Sequence, residues 1–237
     1  MVRLIWRTAL LAGAATAAIP AAAQVSVGGL TVSGRATATT DYRYRGVSQS
    51  DGDPALQGSF SLSHNSGFYA GVFASTLTGN VRPGDFELSA YAGYSREIAT
   101  ATELDVGIQY YAFPNNEGVT GADYVEPYVA LRHTLGPVTA EAGAAYAPEQ
   151  DALGGNDSLY VYGDLSAGLI ILPVTVNARV GYTSGAARFT GLTDYMDWRI
   201  GIERKTGPAT FLLEYVDTDA GGVNADGTIV GTIRLGF

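Results

Sequence analysis

From Leu30 onward, hydrophobic and polar residues alternate with a period of two, as strands do when successive side chains face opposite sides of a sheet. In residues 123–135, Val125, Pro127, Val129, Leu131 and Leu135 share one face, and Tyr124, Glu126, Tyr128 and Arg132 share the other. Phe86, Leu88, Ala90, Ala92 and Tyr94 alternate in the same way with Glu87, Ser89, Tyr91 and Gly93, and Met196, Trp198, Ile200 and Ile202 alternate with Asp197, Arg199 and Glu203. The pattern predicts twelve strands, near 30–43, 55–64, 67–77, 85–97, 102–113, 123–135, 138–147, 157–170, 173–183, 194–205, 208–217 and 227–237.

Two kinds of connection alternate along the chain. Asn65-Ser66-Gly67, Ala99-Thr100-Ala101, Gly136-Pro137, Leu172-Pro173 and Gly207-Pro208 read as tight turns, and the remaining links are longer and polar. Pro137-Val138-Thr139, Pro173-Val174-Thr175 and Pro208-Ala209-Thr210 nearly repeat at spacings of 36 and 35 residues, one hairpin per repeat. An even strand number, tight turns at one end and long loops at the other predict an all-β transmembrane up-and-down antiparallel barrel, with both termini in the periplasm and six long loops outside. In water, strands of this kind would leave two sheet edges to protect; a closed barrel in lipid has none.

Aromatic placement favours lipid over water. Tyr42, Tyr110, Tyr146, Tyr182 and Tyr215 all share the apolar parity and all lie beside a long loop, as an interfacial belt requires. Near the tight turns, Phe68 and Tyr94 share the outward parity, and Arg96 and Arg204 are within reach of headgroups.

The first residues and the composition agree. MVRLIWR, a short apolar run and Ala21-Ala22-Ala23 before Gln24 have the order of a secretory leader, so residues 1–23 read as a signal peptide and 24–237 as one barrel domain. Loss of Arg3 and Arg7 with the leader reduces 14 basic groups to 12 against 23 acidic ones, moving the net charge from −9 to about −11 and arguing against nucleic acid as a partner. The absence of cysteine removes disulfides, thiolate metal sites and a cysteine nucleophile. The chain ends GTIVGTIRLGF, with Ile229, Ile233, Leu235 and Phe237 on one face. An aromatic last residue on an alternating strand is an assembly signal for the outer-membrane barrel machinery, and Phe237 is assigned that role.

The stretch TTDYRYRGVSQSDGDPALQGSFSLSHNSGFYAGVFAS, residues 39–75, resembles the N-terminal hallmark of the TorF-family putative porins of Gram-negative bacteria. FELSAYAGYS, LDVGIQYYAFP and DYVEPYVAL resemble later blocks of that family, so the similarity extends over essentially the whole mature chain. The resemblance implies an outer-membrane porin but carries no defined substrate or catalytic residues.

On the deduced parity the polar face lines the lumen. It presents Glu87, Glu103, Asp105, Glu126, Glu141, Asp164, Asp197, Glu203 and Glu214 together with Arg35, Arg132, Arg179, Arg199 and Arg234. The acid excess predicts a water-filled, mildly cation-preferring path for small hydrophilic solutes; the competing expectation is a closed structural or adhesive barrel, stiffened by cross-lumen salt bridges. Asp41, Arg43 and Arg45 alternate off the first strand with inward parity, so Arg43 and Arg45 are candidates to fold over the mouth, pair with acids and form a constriction. The alternative places them on lipid phosphates at the rim. No loop is long enough to suggest the long inward-folded loop of trimeric porins, so a monomer in contact with lipid and lipopolysaccharide is expected.

A rim enzyme acting on lipid would need His64 or His133 as base, but both lie near tight turns with outward parity, away from a surface lipase site, and Ser63 and Ser66 fit turn chemistry. Asp51-Gly52-Asp53, residues 151–157, and Asp217, Asp219 and Asp226 are acid-rich, but none has the order of a calcium-binding EF-hand loop. Gly28-Gly29 and Gly154-Gly155 precede no helix and read as turns rather than phosphate cradles. No cofactor, metal or catalytic residue is expected.

Overall fold

The computed structural model describes residues 25–78, 84–114, 121–187, 192–222 and 224–236. The leader and Phe237 lie outside the described residues. In chain order the strands are β1 (Val25–Val27), β2 (Leu30–Thr39), β3 (Arg43–Tyr44), β4 (Val47–Ser48), β5 (Ala55–His64), β6 (Phe68–Thr76), β7 (Phe86–Ala99), β8 (Thr102–Ala112), β9 (Tyr124–Leu135) and β10 (Val138–Gln150). After a short 3-10 turn at Asp151–Leu153 come β11 (Asn156–Gly168), β12 (Thr175–Ala187), β13 (Leu192–Thr206), β14 (Ala209–Thr218) and β15 (Thr228–Gly236).

β2 and β5 to β15 form a closed twelve-stranded antiparallel barrel. β2 closes the ring by pairing on one side with β5, from Leu30 opposite His64 to Thr39 opposite Ala55, and on the other with β15, where Thr232 faces Thr39. β1 extends the tight-turn end by folding back on β2, and β3 and β4 make a separate two-stranded ribbon inside the first loop.

The shell is inverted relative to a water-soluble sheet. Ile200, Ile202 and Leu213 are more than half exposed on the outer wall, whereas Glu87, Ser89 and Asp105 on the inner wall are at most 3% exposed. An apolar band around a polar interior matches a lipid surround, because the apolar wall needs no water and ring closure pairs every strand edge.

Turn chemistry sets the register at the tight-turn end. Leu135 faces Val138 across Gly136-Pro137, and Thr206 faces Ala209 across Gly207-Pro208. Gly136 and Gly207 have φ of 57° and 58°. Proline cannot take a positive φ, so each loop is of the II′ kind, whose twist suits a hairpin. The third repeat behaves differently: β11 ends at Gly168 and β12 starts at Thr175, so Leu172-Pro173 belongs to a longer link rather than a tight turn. That link is held by Leu169 N–H donating to Val174 O at 2.9 Å and by Gly168 N–H donating to Pro137 O at 3.0 Å. Ile170 and Ile171 project from it almost fully exposed, 93% and 89%.

The first strand stops at Thr39, short of the 43 predicted from alternation. Thr39 Oγ1 donates to the carbonyl of Asp41 at 2.9 Å, Tyr42 N–H donates to Ser50 Oγ at 2.9 Å, and Gln49 N–H donates to Tyr42 O at 2.6 Å. These local bonds replace the barrel ladder and turn the chain off the wall into the lumen.

Candidate functional site: a loop folded into a charged lumen

Residues 40–54, the first loop, form the centre of the site. Tyr44 pairs with Val47 across a two-residue turn in which Arg45 and Gly46 both have positive φ, 49° and 81°. This is the type I′ geometry, which normally takes Asn-Gly. An arginine there costs roughly 1–2 kcal/mol of backbone strain, and it aims the guanidinium at the barrel wall. Arg45 Nη2 donates to Glu126 Oε1 at 2.7 Å, and the guanidinium carbon lies 4.2 Å from the Tyr160 ring centre and 4.9 Å from that of Tyr44. Burial, the largest single influence, would lower the Arg45 pKa, but Glu126 together with the neighbouring tyrosines more than offsets it and holds the group well above its ordinary value, fully charged. Burial likewise pushes the Tyr44 phenol well above its usual range. Glycine is required at 46 on packing grounds too, since a Cβ there would lie 2.7 Å from Thr218 Cβ and 3.0 Å from Asp197 Cβ.

The loop is fastened at both ends. Arg43 Nε donates to Asp41 Oδ2 at 2.5 Å, and its Nη1 donates to the carbonyls of Gly46, Asn224 and Asp226 at 3.0, 3.2 and 2.9 Å. It therefore ties the first loop to the last. Asp41 Oδ1 accepts from Ser48 Oγ at 2.5 Å and from Ser50 Oγ at 3.2 Å. Tyr42 turns inward, 6% exposed, and its hydroxyl donates to the Glu87 carboxylate at 3.3 Å. The interfacial belt consequently loses this member: Tyr110, Tyr146, Tyr182 and Tyr215 face outward at 41–46% exposure, whereas Tyr42 left the wall with the loop. Around it Tyr44, Phe73, Tyr111, Phe113, Tyr124 and Leu153 form an apolar cluster at the long-loop end, and Val47 packs in a second cluster with Tyr195, Ala220 and Ala225.

Every charged candidate within the described residues faces the lumen, and most are ion-paired. Arg132 donates to Glu141 through Nη2 at 2.5 Å and to Glu103 through Nη1 at 3.2 Å. Arg179 makes a two-pronged pair with Asp164 at 2.7 and 2.5 Å. Arg234 lies 3.4 Å from Glu203, and Arg199 lies 3.9 Å from Asp164 and 3.8 Å from Glu214. Asp105 accepts from the Tyr69 hydroxyl, and Asp197 accepts from that of Tyr160 at 3.3 Å. Arg35 and Arg234 line one cavity with Arg43, Arg45, Arg179 and Arg199. This cavity holds about 80 Å³ beneath the loop and also meets Asp41, Glu87, Asp197 and Glu214.

A second set of lumenal residues was not nominated from the sequence. Tyr69, Tyr91, Tyr128, Tyr160 and Tyr162 each lie flat over a glycine of the neighbouring strand, respectively Gly93, Gly71, Gly107, Gly181 and Gly143, where an added Cβ would collide with the phenol ring. These tyrosines narrow the bore, and Tyr69, Tyr160 and Tyr162 donate to Asp105, Asp197 and Glu141. The signal was present in the period-two pattern as glycines on inward positions opposite tyrosines, such as Gly71 opposite Tyr91 and Gly93 opposite Tyr69.

Outside the lumen, the acid-rich loops are occupied by local bonds. Asp123, Asp157 and Asp217 accept from the belt phenols Tyr110, Tyr146 and Tyr215 at 2.7, 3.0 and 2.7 Å. His64 Nδ1 lies 2.6 Å from Ser66 Oγ and accepts from Ser66 N–H at 3.2 Å, which is a local turn, while His133 Nδ1 lies 2.9 Å from Thr102 Oγ1.

A closed barrel with an apolar outer band and a charged, tyrosine-lined interior defines the class as a transmembrane β-barrel of porin-like fold. Within that class the chain belongs to the Gcw_chp family, whose model, described as a bacterial protein of unknown function, matches residues 23–230. No match was found among curated proteins. Among solved structures it is similar to the KdgM porin in complex with disordered oligogalacturonate, at TM-score 0.55 and 9% identity, over 86% of this chain and 95% of that one. It is also similar to the NanC porin, at TM-score 0.55 and 15% identity, over 86% and 97% of the two chains. A third similar structure is the COG4313 outer membrane channel from Pseudomonas putida F1, with TM-score 0.50, 15% identity and coverage of 92% and 98%. At such identities the likeness concerns the fold.

Proposed function

We propose that this barrel is a porin-like channel of the Gram-negative outer membrane, passing small hydrophilic solutes or ions by diffusion under a constriction built by its first loop. The observation that carries the reading is Arg45, held in a strained type I′ turn and buried against Glu126 above a polar cavity. Backbone strain retained to place one charge across the bore is a costly arrangement of the kind that clusters at functional sites. The resemblance of residues 39–75 to the TorF-family putative porins supports the same reading, because it spans this loop.

The cavity of about 80 Å³ under the loop gives a small polar solute a place to sit beside the constriction. Asp105 Oδ2, Thr183 Oγ1 and Asp197 Oδ2 are buried without hydrogen-bond partners, and solvent or solute moving through the lumen can satisfy them. On the same reading residues 1–23 are the export leader, Phe237 is the assembly signal and the mature chain is a monomer among lipid and lipopolysaccharide. Expected selectivity follows the wall that a solute meets; over the whole lumen the acid excess favours cations, with six of the nine acids ion-paired and Glu87, Asp105 and Asp197 accepting from tyrosine hydroxyls.

The Arg43→Ala/Arg45→Ala variant tests the constriction in planar bilayers. It removes both the strained anchor and the tie to the last loop, so unit conductance should rise. Unchanged conductance and reversal potential, in a variant that keeps its heat-modifiable mobility on gels, would contradict the constriction.

A further inference from the structure

We infer that the cavity under the first loop is a binding lane for small carboxylate anions, an inference that rests on the channel reading and specifies its solute. Six arginines and four acids line that cavity, the reverse of the balance over the whole lumen. Two of those acids are engaged beside the loop: Asp41 pairs with Arg43 at 2.5 Å, and Glu87 accepts from Ser89 at 3.1 Å and from Tyr42. The other two, Asp197 and Glu214, sit on β13 and β14 among the arginines.

Registration of the strands makes the basic wall more than a count. Arg179 and Arg199 stand directly opposite each other on β12 and β13. Arg35 and Arg234 are diagonal neighbours on β2 and β15, since Arg35 faces Gly236 and Arg234 faces Thr37. Like charges placed directly opposite each other on one face of a sheet cost stability; Arg179 and Arg199 are so placed, and the diagonal pair Arg35 and Arg234 lines the same cavity. Asp164 offsets the first pair unequally, with contacts of 2.5 Å to Arg179 and 3.9 Å to Arg199. Glu203 approaches Arg234 to 3.4 Å.

An incoming carboxylate matches this geometry. It accepts from guanidinium groups in the planar two-pronged fashion that arginine offers and lysine does not, and it would offset the repulsion between the facing charges. The cavity volume accommodates a carboxylate head with at most a few attached atoms.

The test uses the refolded mature chain in a planar bilayer with a potassium chloride gradient, then with potassium acetate. The reversal potential should lie on the anion side, and Arg199→Gln/Arg234→Gln should lower the anion-to-cation permeability ratio several-fold. Arg199→Lys/Arg234→Lys keeps the charges and should retain most of the ratio for chloride while losing more of it for acetate. Discrete steps with a cation-side potential in the wild type, or a ratio unmoved in the glutamine variant, would overturn the lane and leave the channel reading standing. A silent bilayer would overturn the channel reading instead. In that case titration of the refolded barrel with potassium acetate by calorimetry decides the lane: binding lost in the glutamine variant supports it, and no binding to the wild type overturns it.

Discussion

Glycine and tyrosine set the bore of this barrel by complementing each other across neighbouring strands. Where Gly107 stands opposite Tyr128, the missing Cβ lets the ring lie flat against the wall, and the phenol contributes apolar area and a hydroxyl within one layer. An added methyl must lift the ring into the lumen, so Gly107→Ala is expected to cost about 1–3 kcal/mol, as overpacking does. Urea unfolding of the refolded protein in lipid vesicles would measure this, and a midpoint equal to wild type would show that the ring is not held there. Arg45 follows the opposite logic, because its strain is retained for where it puts the charge. The inward placement of Arg43 and Arg45 comes from the folded-in ribbon rather than from alternation, since the strand ends at Thr39 and Tyr42 and Tyr44 are buried as well. The turn type was not legible in the sequence either, because Arg-Gly is a poor I′ signal and acquires that geometry from contacts with Glu126, Tyr160 and the backbone of the last loop. Tyr42 was misassigned to the belt for a related reason: parity was extended past Thr39, where local hydrogen bonds from Thr39 and Ser50 end the strand.

Strand pairing explains why so much of the architecture could be read directly. A period of two is unambiguous when one face meets lipid and the other meets charge, because slipping the register by one residue would put every arginine into lipid. The Gly-Pro turns after β9 and β13 fixed two hairpins in the sequence itself. At residues 169–174 the proline repeat misled, since Leu169, Ile170, Ile171 and Leu172 prolong the link and nothing in a dipeptide reports how much chain precedes it. The outer wall yields a direct test of the lipid surround. Ile200 lies near the middle of β13 and is 56% exposed, so Ile200→Arg should destabilise the barrel by about 2–4 kcal/mol in vesicles. Its neighbour Arg199 faces the other way. Equal stability of wild type and variant would mean that this face does not meet hydrocarbon.

As a whole, the barrel is a polar tube narrowed at its long-loop end by the first loop, and its ionisable groups do two jobs. Asp164–Arg179 and Glu141–Arg132 cross-brace neighbouring strands on the inner wall, whereas Arg45–Glu126 pins a loop across the opening. Pairing of that kind is weak evidence for stability, because desolvation offsets much of the attraction, but removing one partner leaves a buried charge. That is why the Arg43→Ala/Arg45→Ala variant is expected to alter the bore as well as the pairing. The sequence supplied the inventory of lumenal charges but not their distribution between walls. That distribution depends on which strands become neighbours when β2 meets β15, a contact between residues far apart in the chain. The measurement that bears most directly on the whole account is the single-channel conductance of the refolded mature chain in a planar bilayer. The account predicts small discrete steps, enlarged when the first loop is released by the double arginine variant; a correctly folded, heat-modifiable barrel that stays silent in both forms would contradict it.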